Sequence, residues 1–372
     1  MKIAMLIPTP FPPEEGIGYH VYNLSKKLIA RGHKVTIITR GSFHTVHDEF
    51  EGIHIIRVPF IPLYPFHVYI HGIFVNKLIK KIEQDYDVIH IHTPLTPNVK
   101  TVLPIVSTIH SSVIENAKYA ETISFKSQLY KMLAKYVSHS TILRLLKSSK
   151  INTTVSKSVV DEMKRYYNYD DLTIVGNGVD TTSFIPSTDP KKDNYILYVG
   201  RLSYRKGLFD LIDAANIISS KYNIKFFIVG KGEFEKEIRN KVKKLNLENN
   251  VRFLGHVDRD YLIKLYQNAT ILVIPSHYES GPLVLLEAMS CSTPVISTPV
   301  GIVEEAVINN ENGIIVPIKS PEKIAESISC LIENSEYRLQ LGKKAREVID
   351  SNYTWDIVTN KIEKCYITAI QK

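Results

Sequence analysis

Cysteine is scarce: Cys291, Cys330 and Cys365 are the only three in 372 residues, and no C-x-x-C pair occurs. A disulfide framework and a zinc ribbon are thereby excluded, and reduced cytosolic thiols are expected. The G-x-x-x-x-G-K-[ST] string of a P-loop is missing, and so is the G-x-G-x-x-G of a dinucleotide fold. Long apolar runs are missing too. The uncharged stretch 58–76 (VPFIPLYPFHVYIHGIFVN) carries three prolines and two histidines, which favours a partly buried loop followed by a helix over a membrane span. Met1–Ile7 is apolar but too short for a secretory signal, and four prolines between 8 and 13 end it without a small-residue cleavage site. No nucleic-acid motif is present, nor a basic stripe interleaved with aromatic stacking positions, so nucleic acid is not expected as a partner.

What is present suits a soluble α/β protein. The chain is 44% hydrophobic and 23% charged, and its length suggests about two domains. The net charge of +8 is uneven: residues 1–186 carry +6, residues 187–372 only +2, and 121–150 holds six basic side chains against one acid. That excess points the N-terminal half toward an anionic surface. Short apolar runs at Ile3–Ile7, Val35–Thr39, Ile53–Val58, Val88–His92, Ile105–Ile109 and Ile151–Val155 read as strands. Between them Tyr19–Arg31 repeats apolar residues at helical spacing and stops at Gly32. The polar segment 187–194 (STDPKKDN) reads as a linker. The rhythm then restarts at Tyr195–Val199, Lys225–Val229, Val251–Leu254, Ile271–Ile274, Pro294–Ser297 and Gly313–Val316. Such alternation predicts parallel sheets with crossover helices, hence two doubly wound Rossmann-like domains facing a central cleft, with ligands beyond the carboxyl ends of the strands.

Four constellations carry chemistry. Gly16 and Gly18 sit between a strand and a helix, where a missing Cβ lets amides approach an anion; a plain turn would read the same way. In ILYVGRLSYRKG (196–207), Arg201 and Lys206 flank a strand end and a helix start, which suits a diphosphate or simply a solvated basic turn. In SHYESGPLVLLEAMS (276–290), Glu279 and Glu287 are eight apart, with Pro282 expected near the first helical position; each could accept hydrogen bonds from hydroxyls, or be one surface and one helix acid. His90 and His92 share one face of a strand and His110 ends the next, but no third ligand or acid stands close in sequence, so no metal site is expected. The basic run 121–150, with Leu129, Leu133, Tyr136 and Val137 at helical spacing, reads as a solvated helix or a contact to an anionic lipid surface.

Taken in order, these strings resemble the retaining glycosyltransferases of family 4, which have the GT-B fold. The resemblance runs through FPPEEGIGYHVYNLSKKLIARGHKVTIIT (11–39), DVIHIHTPL (87–95), STIHSS (107–112), GNGVDTTSF (176–184), ILYVGRLSYRKG (196–207), the Glu279–Glu287 segment and YTWDIVTNKIEKCY (353–366). It implies sugar transfer from a nucleotide-sugar donor to a glycan or lipid-linked acceptor, with no bound metal or cofactor. Arg201 and Lys206 match the pair on the donor diphosphate, Glu287 the carboxylate on the ribose, Glu279 the one at the donor sugar, and His110 the histidine near the reaction centre. Gly16 matches the first-loop glycine, and Ser280, Gly281, Pro282, Leu283 and Val284 follow in the donor-sugar segment. The domains expected are 1–186 on the acceptor side, 187–352 for the donor, and a last helix over 353–372 that crosses back. The family's double glycine is here Gly16-Ile17, Pro282 cannot supply a backbone N–H, and Arg205 adds a cation before Lys206. An epimerase, a phosphorylase, a non-catalytic nucleotide-sugar sensor and a membrane scaffold are the alternatives. The expected location is cytoplasmic, peripheral at the membrane face through the N-terminal domain.

Overall fold

The β-branched runs form strands because such side chains pack well on a pleated surface. A computed structural model describes residues 1–13, 16–63, 66–119, 139–188 and 194–372. These divide into two units, one built from Met1–Lys118, the described residues 139–177 and Trp355–Lys372, the other from Tyr119 and Gly178–Thr354.

In the first unit the order is β1 (Lys2–Leu6), α1 (Gly16–Ala30), β2 (Lys34–Arg40), β3 (Val46–Phe50), β4 (Ile53–Val58), α2 (His67–Ile82), β5 (Val88–Thr93), β6 (Ile105–Ile109), α3 (Val113–Lys118), α4 (His139–Ser148), β7 (Ile151–Thr154), α5 (Lys157–Tyr167) and β8 (Thr173–Ile174). The sheet runs β3-β4-β2-β1-β5-β6-β7-β8 and is parallel except at β3–β4. β3 was not legible in advance. Its residues VHDEF are almost all exposed, so no apolar alternation marks them. The expectation for 58–76 is met by an irregular stretch and then α2; among the described residues no helix is long and apolar enough to cross a membrane. Most of the basic run 121–150, with Leu129, Leu133, Tyr136 and Val137, lies outside the described residues; its end is α4, which buries Ile142, Leu145 and Leu146.

In the second unit come β9 (Tyr195–Val199), α6 (Leu208–Ser219), β10 (Lys225–Val229), α7 (Glu235–Lys244), β11 (Val251–Gly255), α8 (Arg259–Asn268), β12 (Ile271–Ile274), α9 (Leu283–Ser290), β13 (Val295–Ser297), α10 (Val303–Ala306), β14 (Ile314–Ile315), α11 (Pro321–Glu333) and α12 (Ser335–Asn352). Its sheet is parallel in the order β11-β10-β9-β12-β13-β14. Apolar cores cover both of its faces, as all-parallel sheets require.

The last helix, α13 (Trp355–Gln371), belongs to the first unit. Trp355, Val358, Ile362, Tyr366 and Ala369 repeat at helical spacing and enter the core that holds Ile3, Met5 and Leu24. Arg31 adds ion pairs to Asp356 at 3.2 Å and Glu363 at 2.5 Å. The division between the units falls at Asn177–Gly178 and not at the expected 186–187. Chain beyond Asn177 is tied to the second unit, because Val179 N–H donates to the Tyr353 carbonyl at 2.8 Å and Phe184 is buried in that unit's core. Of the expected linker, residues 189–193 lie outside the described residues.

In each sheet the strand order reverses beside the first strand, between β1 and β5 and between β9 and β12. In open sheets of this kind, ligands bind outside the carboxyl ends of the strands at such a reversal point.

Candidate functional site

The second unit's reversal point carries the charged residues. After β9 come Gly200 and the exposed Arg201, then a single 3₁₀ turn, Tyr204–Lys206, closed by Gly207. Gly207 has φ 66°, and a Cβ there would lie 1.8 Å from the Pro275 carbonyl oxygen. Glycine is therefore what lets this turn lie against the loop after β12. Two further contacts join the loops: His277 N–H donates to the Arg205 carbonyl at 2.7 Å, and His277 Nε2 lies 2.7 Å from Asp210 Oδ2 at the start of α6.

With the loops joined, Lys206 Nζ donates to Glu279 Oε1, and Ser276 Oγ donates to the same oxygen at 3.2 Å. The two charged side chains keep only 17% and 10% of their surface. Burial by itself would raise the Glu279 carboxyl, but the charges of Lys206 and Arg205 and these two hydrogen bonds hold it below its ordinary value of 4.5. Beyond Glu279, Pro282 stands immediately before α9, near its first helical position as expected, and its ψ of 110° is extended. The first amides of α9, at Leu283 and Val284, have no partner within the helix and carry the positive end of its dipole. Gly301 allows the following loop to press on Ser280, since a Cβ there would meet the Ser280 carbonyl at 2.5 Å. Half-buried Gly281 completes the turn.

Glu287 projects from α9, where Tyr266 O–H donates to its Oε2 at 2.8 Å. Burial pushes this carboxyl up, and the Tyr266 hydroxyl and Arg259 oppose the rise. Glu279 and Glu287 thus have unlike surroundings, one tied to a cation and the other to a hydroxyl.

The first unit's reversal point carries histidines. Gly16 opens α1 with open space where its Cβ would be, while a Cβ at Gly18 would lie 3.0 Å from that of Pro13, so Gly18 has a packing reason. One turn on, His20 is buried beneath α1 and its Nδ1 lies 2.9 Å from Asn177 Oδ1. His90 and His92 are both fully buried on β5. His90 bonds to Tyr366 Oη at 2.8 Å and Thr108 Oγ1 at 2.7 Å, and so is committed to structure. His92 Nδ1 instead lies 3.1 Å from Nε2 of His110, which follows β6 and keeps 8% of its surface. Burial drives all four imidazoles toward the neutral form, His20 to about 4, His90 to about 3, and His92 and His110 well below 6.5.

Among the described residues, His20, His92 and His110 are a group able to hold a metal ion, with one ring nitrogen of each within 4.8 Å of the others. The sequence reading missed His20. Its signal was available, because His20, Leu24 and Leu28 stand at i, i+4 and i+8 on the buried face of α1. His277, Ser276 and Tyr266 were also missed; nothing local distinguishes them before the loops meet.

Known proteins bear on this arrangement. The family model for "Glycosyltransferase Family 4" matches residues 15–183, and that for "Glycosyl transferases group 1" matches 180–348. An uncharacterized glycosyltransferase of Methanocaldococcus jannaschii is 30% identical across 100% of this chain and 99% of its own. The phosphatidyl-myo-inositol mannosyltransferase of Mycolicibacterium smegmatis is 26% identical across 99% and 94%. Among solved structures, Anabaena HepE in complex with UDP-glucose superposes with a TM-score of 0.76 at 18% identity, covering 98% of each chain. With these matches spanning both Rossmann-like units, the chain belongs to the family 4, group 1 glycosyltransferases and has their GT-B fold.

Proposed function

We propose that this glycosyltransferase moves a sugar from a nucleotide-sugar donor to a glycan or lipid-linked hydroxyl with retention at the anomeric carbon, and that it needs no metal or cofactor. The observation that carries this reading is the Lys206–Glu279 pair at the β9/β12 reversal point, with Arg201 on the same loop as Lys206. A cation already held in a half-dry loop needs little reorganisation when charge grows on a leaving diphosphate. Lys206 and Arg201 stabilise that charge together with Gly16 and Gly18 at the start of α1 and the amides of Leu283 and Val284. Glu279, with Ser280, Gly281 and Pro282, meets the donor sugar, and Glu287 accepts from the ribose hydroxyls. His110 hydrogen-bonds the transferred sugar. The acceptor hydroxyl attacks on the face the phosphate leaves, and the phosphate oxygen takes its proton, which yields retention. That HepE was solved with UDP-glucose supports a nucleotide-sugar donor.

A lipid-linked acceptor is supported by the first unit's surface. Leu63, Phe66, Tyr69 and Ile73 are 57%, 61%, 75% and 57% exposed around the start of α2, on the half that carries the +6 excess. Apolar side chains beside basic charge suit an anionic membrane face at the cytoplasmic side. The mannosyltransferase relative is named for a phosphoinositide, which agrees. The test is a nucleotide-sugar screen by thermal shift, then transfer assays with the donor found, with product anomers read by NMR. A donor that stabilises the protein but is never turned over, or an inverted product, overturns the reading.

A further inference from the structure

Two ring nitrogens of the histidine cluster at the β1/β5 reversal point, His20 Nε2 and His92 Nε2, are fully buried and have no hydrogen-bond partner. Together with the contacts of the other ring atoms, this fixes where each proton sits. Asn177 Oδ1 can only accept, so His20 carries its proton on Nδ1 and its Nε2 is a bare lone pair. For His92 and His110, 3.1 Å apart through Nδ1 and Nε2, two arrangements are conceivable. If His110 donated, His92 would have to carry its own proton on Nε2, and a buried N–H would be left with no acceptor. If His92 donates from Nδ1, only a lone pair is orphaned. Orphaned buried N–H groups are the rarer of the two in folded proteins. His92 is therefore the donor and His110 Nε2 the acceptor. An accepting Nε2 bears no proton, which leaves the one ring proton of His110 on Nδ1.

We infer that His92 is a positioning residue that locks His110 as the Nδ1–H tautomer, so that His110 offers the transferred sugar a fixed hydrogen-bond donor and cannot act as a base. The donor role rests on the proposed placement of His110 at the sugar; the tautomer does not. The geometry supports it further. His110 keeps 8% of its surface and makes no second ring hydrogen bond among the described residues, whereas His92 has none of its surface left. The ring that reaches the ligand is thus backed by one that cannot. His20, edge-on to His110 at 4.8 Å between ring centroids, and His90, 4.1 Å from His92, close the remaining sides. A neutral imidazole that donates from a set nitrogen polarises a substrate oxygen without a charge that the dry pocket would have to solvate.

Long-range nitrogen–proton NMR on the ligand-free protein with ring-labelled histidine reads the tautomer directly. His110 is expected with its proton on Nδ1 in the wild type. In His92→Asn, whose amide N–H stands near the place of Nδ1–H, that tautomer is retained. In His92→Leu it gives way to a mixture or to Nε2–H. Steady-state transfer should follow, with kcat reduced about 10- to 100-fold in His92→Leu and largely rescued in His92→Asn, as for other residues that orient a functional histidine. Wild-type His110 protonated on Nε2, or a tautomer indifferent to His92→Leu in a protein with an unchanged melting temperature, overturns the inference. A tautomer that shifts in His92→Leu while transfer stays at the wild-type rate overturns the donor role and removes His110 from the sugar.

Discussion

Lys206→Ala separates two consequences of one side chain. In the resting protein Lys206 compensates the buried carboxylate of Glu279, and in catalysis it is proposed to stabilise the leaving diphosphate. Removing one partner of a fully buried ion pair costs about 3–5 kcal/mol. Here Lys206 keeps 17% of its surface, and Ser276 and Arg205 still favour the carboxylate, so about 1–3 kcal/mol is expected. At about 2–4 °C per kcal/mol for a unit of this size, the melting temperature falls by about 2–12 °C. The loss should depend on pH in a definite direction. In the wild type the Glu279 carboxyl is held low, so its contribution is full above the unfolded value near 4.5 and vanishes as pH falls through the folded value. Without Lys206, burial prevails and the carboxyl moves up, so the deficit is largest near pH 7 and shrinks on acidification. Adding Glu279→Gln to Lys206→Ala should recover most of the melting temperature at pH 7 and none of the rate. The rate itself should fall by about 30- to 900-fold in kcat/KM, the equivalent of about 2–4 kcal/mol. Scanning calorimetry from pH 5 to 8 and steady-state transfer measure both. A variant within threefold of wild-type kcat/KM and with an unaltered melting temperature at pH 7 refutes the reasoning.

Gly207→Ala should be destabilising by about 3 kcal/mol or more, since φ 66° and a backbone oxygen 1.8 Å from the new Cβ both oppose it; a melting temperature within 2 °C of wild type would contradict this. Gly16→Ala has open space for its Cβ, so it should melt with the wild type and raise only the donor KM, whereas unchanged kinetics would remove Gly16 from the donor site. Tyr266→Phe takes away a hydrogen bond that favours the ionised form of Glu287. Donor affinity, measured by titration calorimetry, should then weaken at a higher pH than in the wild type as acid is added, and coincident profiles would speak against Glu287 as a ribose acceptor. Replacing Phe66 and Tyr69 by serine should reduce flotation with anionic vesicles at low salt without moving the melting temperature; vesicle binding that persists undiminished would exclude that surface.

The sheet framework was largely legible because parallel strands buried on both faces read as short apolar runs. Ile53–Val58, Tyr195–Val199 and Ile271–Ile274 match their expected limits. Edge strands lack that signal, as the polar β3 and the two-residue β8 demonstrate. Around the candidate site, Arg201, Lys206, Glu279 and Glu287 stand out as charged residues at loop and helix starts. Their partners do not, because Tyr266 lies 21 positions from Glu287 and His277 lies 67 from Asp210, so they acquire meaning only by contact, and Ser276, three residues before Glu279, carries no local mark.

By itself the sequence determined that there are two α/β units, that each has a glycine-bearing turn after its first strand, and which side chains bear charge there. Those are properties of local spacing, carried by a few consecutive residues. Only the tertiary structure decided that the β9 and β12 loops meet so that Lys206 neutralises Glu279. It likewise decided that the chain changes units at Asn177 and not at 186, and that three histidines from α1, β5 and the end of β6 converge. The physical reason is that ionisation and protonation state are set by burial and by neighbours. A parallel sheet brings together strands whose sequence positions are far apart, so the cysteine-poor chain builds its chemistry from distant polar side chains that no local pattern connects.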